Sequence, residues 1–153
     1  MEKVSIVTKL NVQVFDGQIT PHFNIAEFRC KNGEVLINAE VIAHIQRLEK
    51  FRVWYKRVMI VNSGYRTPEH NAAVNGEKDS YHMKGIAADI ALPLGEFAGF
   101  TKARKEEFYQ NVKRKWYEIC AADGLGGGVG FYDTFFHLDS RKQRAFWDKR
   151  SGK

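Results

Sequence analysis

The chain is poor in three features, and each shortage excludes a class of protein. Its 153 residues include only two cysteines, Cys30 and Cys120. That is too few for a disulfide framework, and neither has a CxxC partner, so both read as reduced thiols and not as zinc ligands. No apolar run approaches the ~20 residues that span a bilayer. The first residues, MEKVSIVTKL, lack the apolar stretch of a signal peptide. The chain is therefore expected to be made in a cytoplasm and to act elsewhere only after release by another agent. No internal repeat or linker breaks the sequence, and its length suits one domain over 1–153.

Positive charge is in modest excess, with a formal net charge of +6. Such a balance favours polyanionic partners: nucleic acid, anionic membranes or an anionic cell wall. The basic residues are dispersed along 102–115 and crowd 141–153. They read as a solvated helix face and a basic C-terminal tail. No helix-turn-helix, RNP or zinc-finger pattern supports a nucleic-acid partner. Trp147 is expected to pack the C-terminal segment onto the domain. A monomer is expected.

Hydrophobic periodicity gives an α+β reading. Residues 1–20 alternate weakly around Asp16–Gly17, as in a hairpin or an N-terminal arm. FNIAEF reads as a short helix closed by Lys31–Asn32–Gly33. A long helix is predicted from Asn38 to about Arg57, with Val41, Ile42, Ile45, Leu48 and Trp54 near one face. VMIVNSG (58–64) reads as a buried strand. Thr67–Pro68–Glu69 starts a short helix, with Thr67 as cap and Pro68 at its first position. IAADIAL (86–92) is the next strand, closed by Pro93. A second long helix spans about 101–122, with a stripe of Phe108, Val112, Trp116 and Ile119. GVGFY and FFHLD (135–139) form a hairpin across a two-residue turn. The architecture expected is a small, mostly antiparallel sheet packed against two long helices.

One stretch carries the chemistry: SYHMKGIAADI, residues 80–90. On a helix, His82 and Asp89 would lie ~10 Å apart along the axis, too far for easy joint ligation. A turn at Lys84–Gly85 followed by a strand brings them closer. Strand parity puts Ala87, Asp89 and Ala91 on one face, and Ala88, Ile90 and Leu92 on the other. The aspartate thus shares its face with methyl groups only, which leaves space for a metal and a substrate. FFHLD supplies His137, whose neighbours Phe136 and Leu138 point the other way, into the core. Three N/O ligands with an open water position are the signature of catalytic zinc. His22, His44 and His70 lack an acidic partner at useful spacing. His44 reads as a surface or boundary residue and His70 as part of a capping turn.

Three blocks in order, SGYRTPEHN (63–71), SYHMKGIAADI and GGVGFYDTFFHLD (127–139), resemble the M15 family of zinc peptidases, which cleave D-amino-acid-containing peptides of peptidoglycan. Within the middle block, Ser80, His82, Gly85, Ala87 and Asp89 match SxHxxGxAxD. The likeness is to the small D-alanyl-D-alanine carboxypeptidase-like branch common in bacteriophages and bacteria. It covers roughly residues 20–147 and includes HFNIAEFRCKNG (22–33).

The resemblance implies a hedgehog/DD-peptidase-like fold with the metal site at the sheet. It implies one zinc ion on His82, Asp89 and His137, and a peptidoglycan peptide as substrate, cut by a carboxypeptidase or an endolysin-type endopeptidase. It implies that Arg66 reaches the substrate and stabilises charge at the reacting carbonyl, and that Ser80 hydrogen-bonds substrate. For Ser80 a loop hydroxyl bonded to its own backbone is an equal alternative.

The sequence departs from the larger relatives, which carry a glutamate three residues before the last ligand or a histidine two before. Thr134 and Phe135 stand there. Asp133 is the expected general base in their place, and Asp139 is expected to orient His137 or Arg66. The missing glutamate also keeps open a catalytically weak or inactive wall-binding or virion module. Action is expected at the bacterial cell wall after release, or on a virion.

Overall fold

The computed structural model describes residues 4–7 and 12–152, with side chains described from Asp16 onward. In chain order its elements are β1 (Val4–Val7), β2 (Val12–Phe15), β3 (Gln18–Thr20), β4 (Phe23–Asn24), α1 (Ala39–Tyr55), β5 (Val61–Ser63), α2 (Pro68–Ala73), β6 (Ala87–Ala91), α3 (Leu94–Phe97), α4 (Lys102–Ala122), β7 (Gly128–Phe131), β8 (Phe135–Asp139) and β9 (Ala145–Asp148). Two 3-10 turns, Ile25–Phe28 and Tyr81–Lys84, sit among them.

The two long helices form where the apolar stripes predict them. Asn38 caps α1 by accepting from the Val41 N–H, and Thr101 caps α4 by accepting from the Arg104 N–H. The buried stripe of α1 is Val41, His44, Ile45, Leu48, Phe51 and Tyr55. It includes two aromatics that the sequence reading leaves out. In α4, Phe108, Val112, Trp116 and Ile119 are all buried. Phe51 packs against both Trp116 and Phe136, tying α1 to α4 and to the sheet.

The main sheet has five strands in the order β5-β6-β8-β7-β9. It is mixed, which corrects the expectation of a mostly antiparallel sheet. The first three pairings are antiparallel, but β9 returns alongside β7 in parallel. The segment read as a basic tail therefore carries an edge strand. Ala88, Ile90, Val129, Phe131, Phe136 and Leu138 are buried toward the helices. The other face is left to the residues between them.

Several local expectations need correction. The Asp16–Gly17 pair is not a hairpin turn; it links β2, which pairs antiparallel with β1, to β3. The strand expected over 58–64 is only Val61–Ser63, at the sheet edge, and Val58 and Ile60 are exposed. An edge strand has one neighbour, so β-branched residues there need not be buried. His44 is fully buried, not at a boundary: its Nδ1 meets Ser140 Oγ at 2.6 Å and its ring stands edge-on to Trp116. Ser140 directly follows β8, so the long helix is latched to the strand that carries His137. Cys30 and Cys120 are both free and buried.

Burial pushes the His44 imidazole down from its ordinary value of 6.5 to about 3. The folded protein holds it neutral while the unfolded chain protonates it. Below about 6.5 the unfolded state binds more protons, so the stability tied to neutral His44 is present above that pH and lost as pH falls toward 3. Thermal unfolding of zinc-loaded wild type and His44→Asn checks this. The advantage of wild type should narrow steadily between about pH 7 and pH 5; a gap that does not change with pH contradicts it.

Candidate metal centre

The site grows out of one rung of the sheet. Asp89 lies opposite His137, His137 opposite Gly130, and Gly130 opposite Trp147. Ser63 flanks Asp89 on the other side. All of these sit on the face away from the helices, as strand parity predicts for Asp89 and His137. The third candidate ligand, His82, arrives on the 3-10 turn Tyr81–Lys84. Two backbone contacts zip that turn to the loop after β5: Arg66 N–H donates to the His82 carbonyl at 3.0 Å, and His82 Nδ1 meets the Gly64 carbonyl at 2.6 Å. The SGYR and SYH blocks are thus structural partners.

Hydrogen bonding fixes which nitrogen of each ring is free. A carbonyl oxygen only accepts, so His82 Nδ1 must carry a proton and Nε2 is the nitrogen left for a metal. His137 is the mirror case. Its Nε2 lies 2.8 Å from Asp139 Oδ2, and Asp139 is kept ionised by Arg141, whose Nε and Nη2 donate to its two oxygens at 2.9 and 2.7 Å. His137 Nε2 therefore donates to Asp139, and Nδ1, which meets Asp89, is the nitrogen left for a metal. Both of these nitrogens face Asp89 Oδ1, His137 Nδ1 at 2.9 Å and His82 Nε2 at 3.3 Å.

A proton between these atoms makes them a hydrogen-bonded set; with that proton gone, all three are acceptors aimed at one another, as a metal ion requires. The three residues are buried and their ligand atoms lie within 4.8 Å of one another. Two imidazoles and a carboxylate suit zinc in number and donor type, and each imidazole already has the outer partner that a metal-bound histidine needs.

Charge in the centre follows from the same contacts. Burial alone would raise Asp89, but the hydrogen bonds with His137 and His82 outweigh it and hold the carboxyl well below the usual range. Asp139 behaves alike: burial raises it, while His137 and Arg141 bring it lower. Burial would lower His137, yet the bonds to Asp139 and Asp89 leave it raised.

Above the triad opens a cleft of about 840 Å³. Arg66 lies in its wall, with Nη2 3.4 Å from Asp89 Oδ2, Nε donating to Ser63 Oγ and Nη1 to Asn71 Oδ1. Ser80 also lines the cleft, and its hydroxyl accepts from the His82 N–H at 3.2 Å, capping the ligand's turn. Asp139 meets His137 Nε2 at 2.8 Å, the contact that an orienting role would need.

Asp133 is not brought to the cleft. It is exposed and accepts from Ser151 N and Oγ beside a different hollow. The carboxylates that do line the cleft, besides Asp89, are Glu77 and Asp79. His70 stays in its capping turn, and His22 pairs with Glu49.

Tyr132 and Trp147 are among the cleft residues that sequence reasoning misses. The trace they leave is Gly130. A Cβ there would lie 2.3 Å from Trp147 Nε1, so only glycine lets the indole cross the strand to pack on the His137 ring, at 4.9 Å between centroids. Gly128 similarly leaves room for the Asp139 carboxylate, 2.3 Å from where its Cβ would be.

A family model described as Peptidase M15 matches residues 21–139, which include all three ligands, Arg66 and Asp139. The comparison with curated proteins found no match. If Asp139 positions His137 for a metal, Asp139→Asn should weaken zinc binding by roughly 10–100-fold, and His82→Ala or His137→Ala should abolish stoichiometric binding. Competition against a chromophoric chelator measures this, with thermal unfolding as a check on folding. Wild-type affinity in Asp139→Asn contradicts the assignment.

Proposed function

The chain belongs to the peptidase M15 family, and on that premise we propose that it hydrolyses a peptide bond in the stem peptides of peptidoglycan with the help of one zinc ion. The observation that carries this reading is the convergence of His82 Nε2, His137 Nδ1 and Asp89 Oδ1 at the floor of the cleft. A zinc ion held there supplies Lewis acidity toward a water and toward the scissile carbonyl.

The chain's own residues account for the remaining requirements. The Gly64 carbonyl and the Asp139 carboxylate keep each imidazole in the tautomer that leaves its ligand nitrogen bare. Arg66 is held by Ser63 and Asn71, so its charge and planar fork are fixed beside the reacting centre. That fork suits a substrate carboxylate or the oxygen that gains charge during attack. Glu77 and Asp79 are the cleft carboxylates within the same lining as the triad, and they replace Asp133 as the groups to receive a proton.

Arg66, Lys78, Arg141 and Lys149 line the cleft as well. With the +6 net charge, they favour an anionic substrate in an anionic polymer. No helix among the described residues is long and apolar enough to cross a membrane. Action at the cell wall therefore belongs to the same proposal, whether the protein is released or carried on a virion.

Digestion of purified peptidoglycan, followed by mass spectrometry of the soluble fragments, tests the reading. Wild type should release peptides with new termini, a chelator should stop it, and added zinc should restore it. His82→Ala should be inactive, whereas Asp133→Asn should retain activity because its side chain serves a different surface. Tight wall binding without chelator-sensitive cleavage would favour a non-catalytic module and overturn the hydrolase.

A further inference from the structure

Residues 140–153 lie beyond the matched span, yet the strand they form reaches the centre of the cleft. Trp147 on β9 crosses over Gly130 and rests on the His137 ring. An indole N–H can only donate, and this one donates to the Tyr132 hydroxyl at 2.8 Å. The other side of the phenol is fixed too: its ring stacks on Phe135, 4.1 Å between centroids and 10° from parallel, across the tight turn of the β7–β8 hairpin. A tyrosine at the mouth of a cleft is thus held by a ring contact and a hydrogen bond. Its oxygen stands beside the indole that packs on a ligand histidine.

The direction of the Trp147–Tyr132 bond decides what the hydroxyl does next. The phenol oxygen is the acceptor, so its own proton is left to donate. Among the described residues no acceptor takes that proton. Tyr132, His82, Asp89, His137 and Arg66 line the same cleft. Burial raises the phenol above its ordinary range, which keeps the proton on the oxygen at neutral pH. A fixed, neutral O–H pointing at no protein acceptor, beside a buried ligand set, is the arrangement that catalysis by preorganised donors requires.

We propose that Tyr132 donates a hydrogen bond to the oxygen of the scissile carbonyl as it gains negative charge, and that Trp147 is the positioning residue that aims it. This rests on the hydrolase reading above. No proton is transferred by Tyr132; the O–H bond stays intact and the hydrogen bond shortens as charge develops. Arg66, on the same cleft lining, adds a formal positive charge to this neutral donor. The C-terminal strand is accordingly part of the active site.

The test has two arms. In the first, kinetics on a soluble muropeptide compare wild type, Tyr132→Phe and Trp147→Phe. Tyr132→Phe keeps the ring on Phe135 and removes one oxygen, so kcat should fall by roughly 100-fold with little change in KM. Trp147→Phe should fall less, because the phenol remains but is no longer aimed. In the second arm, calorimetry measures acetohydroxamate binding to the zinc-loaded proteins, its oxygen standing in for the carbonyl oxygen. Tyr132→Phe should bind it at least about tenfold more weakly at equal zinc content and equal thermal stability. Equal hydroxamate affinity in wild type and Tyr132→Phe, or no binding to wild type, overturns the proposal. Failure of wild type to cleave any muropeptide sinks the peptidoglycan reading alone, since the hydroxamate arm still decides the role of Tyr132.

Discussion

Asp89 faces His137 across the β6–β8 pair, and everything else in the site depends on that register. A side-chain period of two means that slipping either strand by one residue would turn that strand's own group into the helical core and separate it from its partner. The register is pinned from the other face, where Ala88, Ile90, Phe136 and Leu138 are buried against the helices. The same alternation that builds the core therefore aims the ligands. Extending the rung through Gly130 to Trp147 adds the wall of the cleft without any further element.

Buried charge at such a rung is costly unless each group is paired. The structure meets the cost by nesting its hydrogen bonds outward from the ligands. His82 is backed by the Gly64 carbonyl, His137 by Asp139, and Asp139 by Arg141, which in turn lies over the rings of Tyr81 and Trp147. Each layer leaves the inner one a single option. Opposite tautomers of the two histidines follow from which nitrogen meets the outer acceptor, Nδ1 of His82 at the Gly64 carbonyl and Nε2 of His137 at the Asp139 carboxylate. Ser140 extends this support to His44 and hence to α1, so the sheet face and the core are joined by polar contacts as well as by packing.

The clustering of His82, Asp89 and His137 was legible in the sequence because strand parity is a local rule. Alanines flanking Asp89, and Phe136 and Leu138 flanking His137, state which face is which. The long helices were legible from their stripes for the same reason. What could not be read depends on contacts between distant segments. The parallel return of β9 has no local signature, so Trp147 looked like simple packing and the sheet looked mostly antiparallel. His44 looked peripheral because its partner, Ser140, is ninety-six residues away. Asp133 stands close to His137 in sequence, but the hairpin turn carries it to Ser151 instead. Gly128 and Gly130 were visible as glycines, yet the reason for them lies on Asp139 and Trp147.

The central claim is that the two ligand histidines are locked in opposite tautomers around one aspartate oxygen. Long-range proton–nitrogen correlation NMR of the zinc-loaded protein tests it directly. The account predicts a proton on Nδ1 and metal on Nε2 for His82, with a proton on Nε2 and metal on Nδ1 for His137. The same tautomer in both rings, or a doubly protonated ring in the presence of zinc, would contradict it.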